Sequence, residues 1–430
     1  MRKLLLTLIG LLLFTGVAHA DLRAGAAKVE ITPDVKASPT PLGGYAARRD
    51  SPSTGVDASI YAHALVLAQG EKRVAIVSLD LCFLPRAIKA EVTKRLQTQQ
   101  SHIQPDSVFL SATHSHTAPD PLAMHAGNQF DAIKHFTRFD PKLLAFTTER
   151  IAVAIQKAEA NLTPVKAGSL TESIPNLNRN RRGDPTVDRE MTVLTLVDAQ
   201  GKTVANIVNF AAHPTLYDEK MMDISPDWPG IMTATVEANK GGICLFLNGA
   251  EGDATTQNAT GNTPKERIET YGKRVAQSAL ELIAKATLTA DPTLDTWTTE
   301  LQLPPRKPNG WFLLAAAQLG ATIEQARGLV QGMMPATSTL TFVKLGDLLL
   351  MGVPCEPTGD IGLGAKERAK KAGFPRPAIV ALTNDWLSYC VTAKQYKAGN
   401  YEAAMCFFGE GFGEALLTGI ELGLGKGKNR

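Results

Sequence analysis

Charge of one sign is scarce in this 430-residue chain. Its 45 lysines and arginines face 42 acidic residues, and two of the basic ones, Arg2 and Lys3, stand at the very start. After Ala20 the balance is +1. That excludes the basic footprint of a nucleic-acid binder or of a polybasic membrane surface. Long apolar runs are scarce as well. The stretch Leu4–Phe14 is shorter than the roughly 20 residues a bilayer-crossing helix needs. With its basic start and the A-x-A site Ala18-His19-Ala20, the opening MRKLLLTLIGLLLFTGVAHA has the pattern of a secretory signal peptide cleaved after Ala20. The leader predicts a periplasmic or secreted protein without a stable membrane anchor. There is no C-x-x-C and no zinc-ribbon spacing among Cys82, Cys244, Cys355, Cys390 and Cys406. Five is odd, so at least one thiol is unpaired within the chain, and a Cys390–Cys406 bond is left open. No repeat or low-complexity block occurs. A composition of 44% hydrophobic and 20% charged residues excludes disordered, collagen-like and coiled-coil proteins.

What is present is alternation. Val74–Leu81, Val108–Thr113, Val204–Ala211 and Ile243–Leu247 are short apolar, β-branched runs of buried-strand type. Arg86–Gln97 carries Ile88, Val92 and Leu96 at a helical spacing of four. Thr263–Ala286 repeats that spacing, with Thr263 as N-cap and Pro264 at the first helical position. The order predicts an α/β fold, a mixed β-sheet core flanked by helices. Asn176–Asp188 reads as a loop, and Pro304–Gly310 is the best candidate for a hinge.

Histidine is sparse too: after the leader there are seven, and none follows His213. Two of them, His114 and His116, follow an apolar strand in SATHSHTAPD. On an extended chain residues i and i+2 point the same way, so this H-x-H can present both rings to one metal or one substrate. A pair of hydrogen-bonded structural histidines is the equal alternative on spacing alone. His213 leaves another apolar run. Asn248–Thr256 is a Gly-rich polar turn after ICLFL, and Glu356 stands between a strand and a helix start. The H-x-H-x-D-H of metallo-β-lactamases is absent, and too few later histidines exist for an amidohydrolase barrel.

Taken in order, AGAAKVEITP, LGGYA, VSLDLC, LSATHSHTAP, NLNRNR, MTVLTLVDAQGK, FAAHPT, NGAEGDATTQN, VPCEPT and TNDWLSYCVTAKQYKAGNYEAA resemble the catalytic domain of the neutral (alkaline, non-lysosomal) ceramidases. The segments span nearly the whole chain after the leader. The resemblance implies one Zn²⁺ per chain held by His114, His213, Glu356 and Tyr389. It implies that His116 shuttles a proton, that Arg179 and Tyr401 bind the developing oxyanion, and that Thr255 replaces a family serine as a residue that positions substrate. It gives Asp253 a structural role. Residues 21–430 are then one hydrolase domain, with no counterpart of the family's C-terminal β-sandwich. The Asn258–Glu356 segment is shorter than in that family, which predicts fewer contacts for a long-chain substrate.

The activity so implied is zinc-dependent hydrolysis of an amide (N-acyl) bond in a lipid-like molecule, releasing a fatty acid and an amine such as a sphingoid base. Two alternatives stand beside it. One is a zinc esterase, lactonase or amidase acting on another small substrate. The other is a non-catalytic binding homologue, disfavoured because all four ligand positions are filled. The sequence leaves the oligomeric state open.

Overall fold

Along Tyr61–Gln69, Ala62, Ala64 and Val66 face one way, and Leu65 and Leu67 the other, all fully buried. A strand buried on both faces needs a layer on each side. The computed structural model, which describes residues 21–125, 136–290, 292–318 and 320–428, supplies both. The predicted leader lies outside the described residues.

The larger sheet has eight strands, in the order Ile243–Asn248, Thr203–Phe210, Glu190–Asp198, Thr163–Ser173, Arg23–Glu30, Tyr61–Gln69, Lys72–Leu79 and Val108–Ala112. The outermost pair at each end is parallel and the inner pairs are antiparallel. A second sheet holds Leu294–Gln302, Thr337–Leu345, Leu348–Gly352 and Arg376–Val380, the last pair parallel. The two sheets share one apolar core. Leu65, Ile76, Ile207 and Leu245 of the first pack with Val343, Leu350 and Val380 of the second. Burial of each such side chain contributes about 1.5–3 kcal/mol.

Helices close the outer faces. Arg86–Thr98 and Pro141–Ala160 cover one half of the large sheet, and Asp227–Lys240 and Pro264–Lys285 the other. Gly359–Lys371 and Phe412–Lys428 cover the small sheet. Thr263 caps its helix as expected, its side chain accepting from Glu266 N, with Pro264 in the first turn. The expected α/β fold with a mixed sheet between helices is present, and the second sheet is an addition to it. Asn176–Asp188 is not all loop, because Asn178–Asn180 pairs antiparallel with Ala254–Thr256. The Pro304–Gly310 stretch is tied down by Lys307 N, which donates to Phe407 O at 2.7 Å. All five cysteines are buried free thiols, so Cys390 and Cys406 are not bonded. Among the described residues no helix is long and apolar enough to cross a membrane.

The large sheet curls until its two edges meet. Ser78 Oγ donates to Phe246 O at 2.5 Å, and Asn248 Nδ2 to Thr113 O at 3.1 Å. Asn209 Nδ2 donates to Leu247 O and to Ile379 O, both at 2.8 Å, and so ties in the small sheet. The carboxyl ends of three parallel strand pairs are thereby gathered at one place, where ligands of open α/β sheets bind.

Candidate metal centre

Each chemical group of this place follows a strand of the two sheets, and Glu356 and Tyr389 pair with each other at the start of two short parallel strands, Glu356–Pro357 and Tyr389–Cys390. His114 follows Val108–Ala112, His213 follows Thr203–Phe210, Glu356 follows Leu348–Gly352, and Tyr389 follows Arg376–Val380. His114 is not extended: its φ is +76°, a left-handed conformation that costs a non-glycine residue about 1–3 kcal/mol. The turn is held by His114 N, which donates to Leu81 O at 2.9 Å. The i, i+2 alternation expected for His114 and His116 is therefore absent. The turn, not strand geometry, brings their Nε2 atoms to 3.2 Å.

Four groups converge. His114 Nε2 is 3.3 Å from Glu356 Oε2, His213 Nε2 is 3.6 Å from the same oxygen, and Tyr389 Oη is 3.1 Å from His213 Nε2. Both rings have their other nitrogen engaged. His114 Nδ1 donates to Cys82 O at 2.6 Å, and His213 Nδ1 to Glu251 O at 2.7 Å. These bonds fix the tautomer with the proton on Nδ1 and leave each Nε2 with a bare lone pair. Burial, reinforced by Arg181 and His114, pushes the His213 pKa down to about 3, so its ring is neutral. Burial alone would raise the Glu356 pKa. Only positive charge at His114 and His213 pulls it the other way, well below the ordinary value. Glu356 Oε1 accepts from Trp386 Nε1 at 3.0 Å, whereas the buried Oε2 has no hydrogen-bond partner. Two lone pairs and a carboxylate oxygen facing one another in a buried site repel unless a cation lies between them. The donor set therefore fits a metal ion, with two imidazoles and a carboxylate as ligands and a phenol beside them.

Two glycines allow this convergence. A Cβ on Gly252 would meet Glu356 O at 2.6 Å. One on Gly44, whose φ is +89°, would meet the His116 ring at 2.3 Å. His116 is buried, and its Nδ1 has no partner. Burial, then His114 and His213, hold its pKa well below the ordinary value, so it too is neutral at pH 7.

Arg179, Thr255, Tyr401 and Asp253 lie outside the group of four that converges. Arg179 is exposed: it occupies the middle of the three-residue strand Asn178–Asn180, opposite Thr255, while the Asn178 side chain points into the core. The guanidinium at the site is that of Arg181, just beyond the strand, whose Nη2 donates to Tyr389 Oη at 3.0 Å. The structure thus places Arg179 away from the converging groups and Arg181 beside them. The arginines Arg179, Arg181 and Arg182 could have flagged the choice, but only the end of the strand at Asn180 decides it. Thr255 is half-buried, forms a backbone bridge to His213, and is not among the residues lining the cavity beside the centre. Tyr401 does line that cavity. It is 55% exposed at the rim, its ring 5.5 Å from that of Tyr389. Asp253 is structural, accepting from Gly359 N and Asn180 Nδ2, both at 2.8 Å.

The cavity holds about 350 Å³ and is lined on one side by His114, His116, Glu356, Tyr389 and Tyr401. Its other walls are mostly apolar, with Phe83, Leu329, Val330, Met333, Trp386 and Phe407 among them, although Tyr45, Arg49, Asp120 and Thr137 also line it. Much of that wall comes from helices Gly310–Gln318 and Ile323–Met333. These helices lie within the Asn258–Glu356 segment, which sequence reading expected to be poor in substrate contacts.

Residues 22–266 match the sequence profile of neutral/alkaline non-lysosomal ceramidase, N-terminal. The neutral ceramidase of Pseudomonas aeruginosa is 23% identical, over 90% of this chain and 69% of that protein. That of Drosophila melanogaster is 22% identical, over 92% and 73%. The crystal structure of the Pseudomonas aeruginosa neutral ceramidase superposes with a TM-score of 0.80 at 21% identity, covering 95% of this chain and 75% of that one. A structure titled as a ceramidase complexed with C2 gives a TM-score of 0.79 at 20% identity, over 94% and 74%. With more than half its length matched to one family, the chain belongs to the neutral/alkaline non-lysosomal ceramidases.

Proposed function

We propose that this protein is a zinc-dependent amidohydrolase that cleaves the N-acyl bond of a ceramide-like lipid, releasing a fatty acid and a sphingoid-type amine. One observation carries the reading. Two imidazole nitrogens and an unpartnered carboxylate oxygen converge at the wall of a mostly apolar cavity of about 350 Å³. Such a cavity suits an acyl chain, and polar groups grouped at one side orient the bond to be broken.

His114, His213, Glu356 and Tyr389 would hold the ion. Two histidines and one acid leave a divalent ion a net positive charge, and the imidazole and carboxylate donors suit zinc. Zinc, when bound, polarises a carbonyl and lowers the pKa of water toward neutrality. The chain's own residues do the rest. The apolar walls seat the acyl chain and exclude water. Tyr401, at the rim, donates its phenolic proton to the oxygen of the acyl group as charge develops there. His116, neutral at pH 7, takes a proton from the attacking water and returns it to the leaving nitrogen, which departs poorly without one. Arg181 braces Tyr389, and Thr255 supports His213 through the backbone.

Family membership supports this reading, as do the names of the relatives. Protein loaded with zinc should be assayed against N-acyl sphingoid bases, short N-acyl amines and the corresponding esters, with fatty acid and amine both quantified. Release of the two products in equal amounts from the amides supports the proposal. Cleavage of esters alone would replace amidase by esterase.

A further inference from the structure

Glu402 follows Tyr401 in a five-residue helix, Asn400–Ala404, that has no side-chain hydrogen bond at its N-cap. Its side chain is only 3% exposed. A carboxylate so buried is costly unless it is paired, and here both oxygens are. Oε1 accepts from Arg181 Nε and Oε2 from Arg182 Nη1, each at 2.8 Å. Arg182 is anchored in turn by Asp184 at 3.2 Å and by Gln395 O at 3.3 Å.

Arg181 uses the rest of its fork on the centre. Nη2 donates to Gly252 O at 2.9 Å and to Tyr389 Oη at 3.0 Å. The guanidinium carbon lies 5.6 Å from the Tyr389 ring centroid and 5.8 Å from that of Tyr401. One carboxylate thus orients a cation that donates to one phenol and lies over the ring of the other. Lysine could not reproduce these contacts, because they need donors fixed in one plane.

We propose that Glu402 is a positioning residue that clamps Arg181 between Tyr389 and Tyr401 and so sets the spacing of the two phenols. The proposal rests on the reading of those tyrosines given above. The clamp joins three segments that are distant in sequence: the run after Asn178–Asn180, the Tyr389–Cys390 strand, and the helix at the rim. With Glu402 replaced, Arg181 keeps its charge and loses its direction. Misplacing a reacting group by about 1 Å costs on the order of 10²-fold in rate.

Glu402→Gln keeps the shape and removes the charge. The zinc-loaded variant should lose about 10²-fold in kcat with little change in KM, at unchanged zinc content. Arg181→Lys should cost a similar factor. The double variant should be no worse than either single one, because both remove the same constraint. A side chain that merely stabilises the fold would instead lower the melting temperature, leave kcat per folded molecule intact and combine additively. That result overturns the proposal. Should Glu402→Gln fail to fold, Arg181→Lys with Arg182→Lys as its partner makes the same cycle. The crystal structure of metal-free Glu402→Gln reads the clamp without any assay. The proposal expects Arg181 to leave Tyr389 Oη, and a guanidinium still within about 3.5 Å of it overturns the clamp. If the wild type neither holds zinc nor cleaves amides, the functional reading fails, and this distance still decides the clamp.

Discussion

His114 Nε2 and Glu356 Oε2 lie 3.3 Å apart, with no proton for them to share. The imidazole proton is on the far side of the ring, given to Cys82 O, and Glu356 Oε2 has no hydrogen-bond partner. The pair is arranged for a cation. His114→Ala should therefore purify with little metal, whereas His116→Ala should keep near-stoichiometric metal and turn over about 10²–10⁴-fold more slowly. Elemental analysis beside a turnover assay checks both. Exchange of the two phenotypes would make His116 the ligand.

Trp386 should tune metal affinity without touching the ion. Its Nε1 donates to Glu356 Oε1 at 3.0 Å and fixes which oxygen faces the histidines. Trp386→Phe keeps the ring, which stacks on Phe83 with centroids 4.1 Å apart, and removes the donor. Metal affinity, measured by competition with a chelator, should weaken about 10–100-fold.

Tyr389 came only from the resemblance to a family, whereas His114, His213 and Glu356 were legible in the sequence because each lies just past an apolar run that reads as a strand. The α/β alternation was legible for the same reason. Arg181 was not, since residues 179 and 181 share one face of an extended chain and part here only because the strand Asn178–Asn180 ends before Arg181. The apolar wall was hidden as well. Gly310–Gln318 reads GWFLLAAAQ, without a polar face to give a helical period. The second sheet was hidden because its strands run from Leu294 to Val380 with two helices between the first two. The turn at His114 has no sequence signal at all, since the left-handed region is usually marked by glycine or asparagine.

Chain length should be read by that wall. Leu329 lines the cavity from helix Ile323–Met333. Leu329→Trp should shorten the preferred acyl chain, with kcat/KM for long-chain amides falling about 10-fold or more relative to short ones. A length profile for wild type and variant, run at equal monomer concentration, checks it. Parallel profiles would place the acyl chain elsewhere.

Stability should carry a signature of Asp227. Its carboxyl is buried, and burial raises its pKa from 3.8 to about 6 although Trp228 N, Tyr217 N and Leu216 N donate to it. Between those two values the folded chain retains a proton that the unfolded chain releases, so this group's contribution to stability falls as pH rises through the window. Asparagine tolerates the φ of +56° at this position and does not titrate. From pH 4 to pH 7 the stability difference between wild type and Asp227→Asn should move by about 2 kcal/mol in favour of the variant. Urea unfolding at each pH measures it, and a flat difference would show that Asp227 is not held protonated.

The most direct test of the metal centre is a crystal of zinc-loaded protein with diffraction recorded on both sides of the zinc absorption edge. The account predicts one anomalous peak per chain, at about 2.0–2.2 Å from His114 Nε2, His213 Nε2 and a Glu356 oxygen, with Tyr389 Oη beside it. A crystal without such a peak, or with the peak on Cys82 and His116 instead, would contradict it.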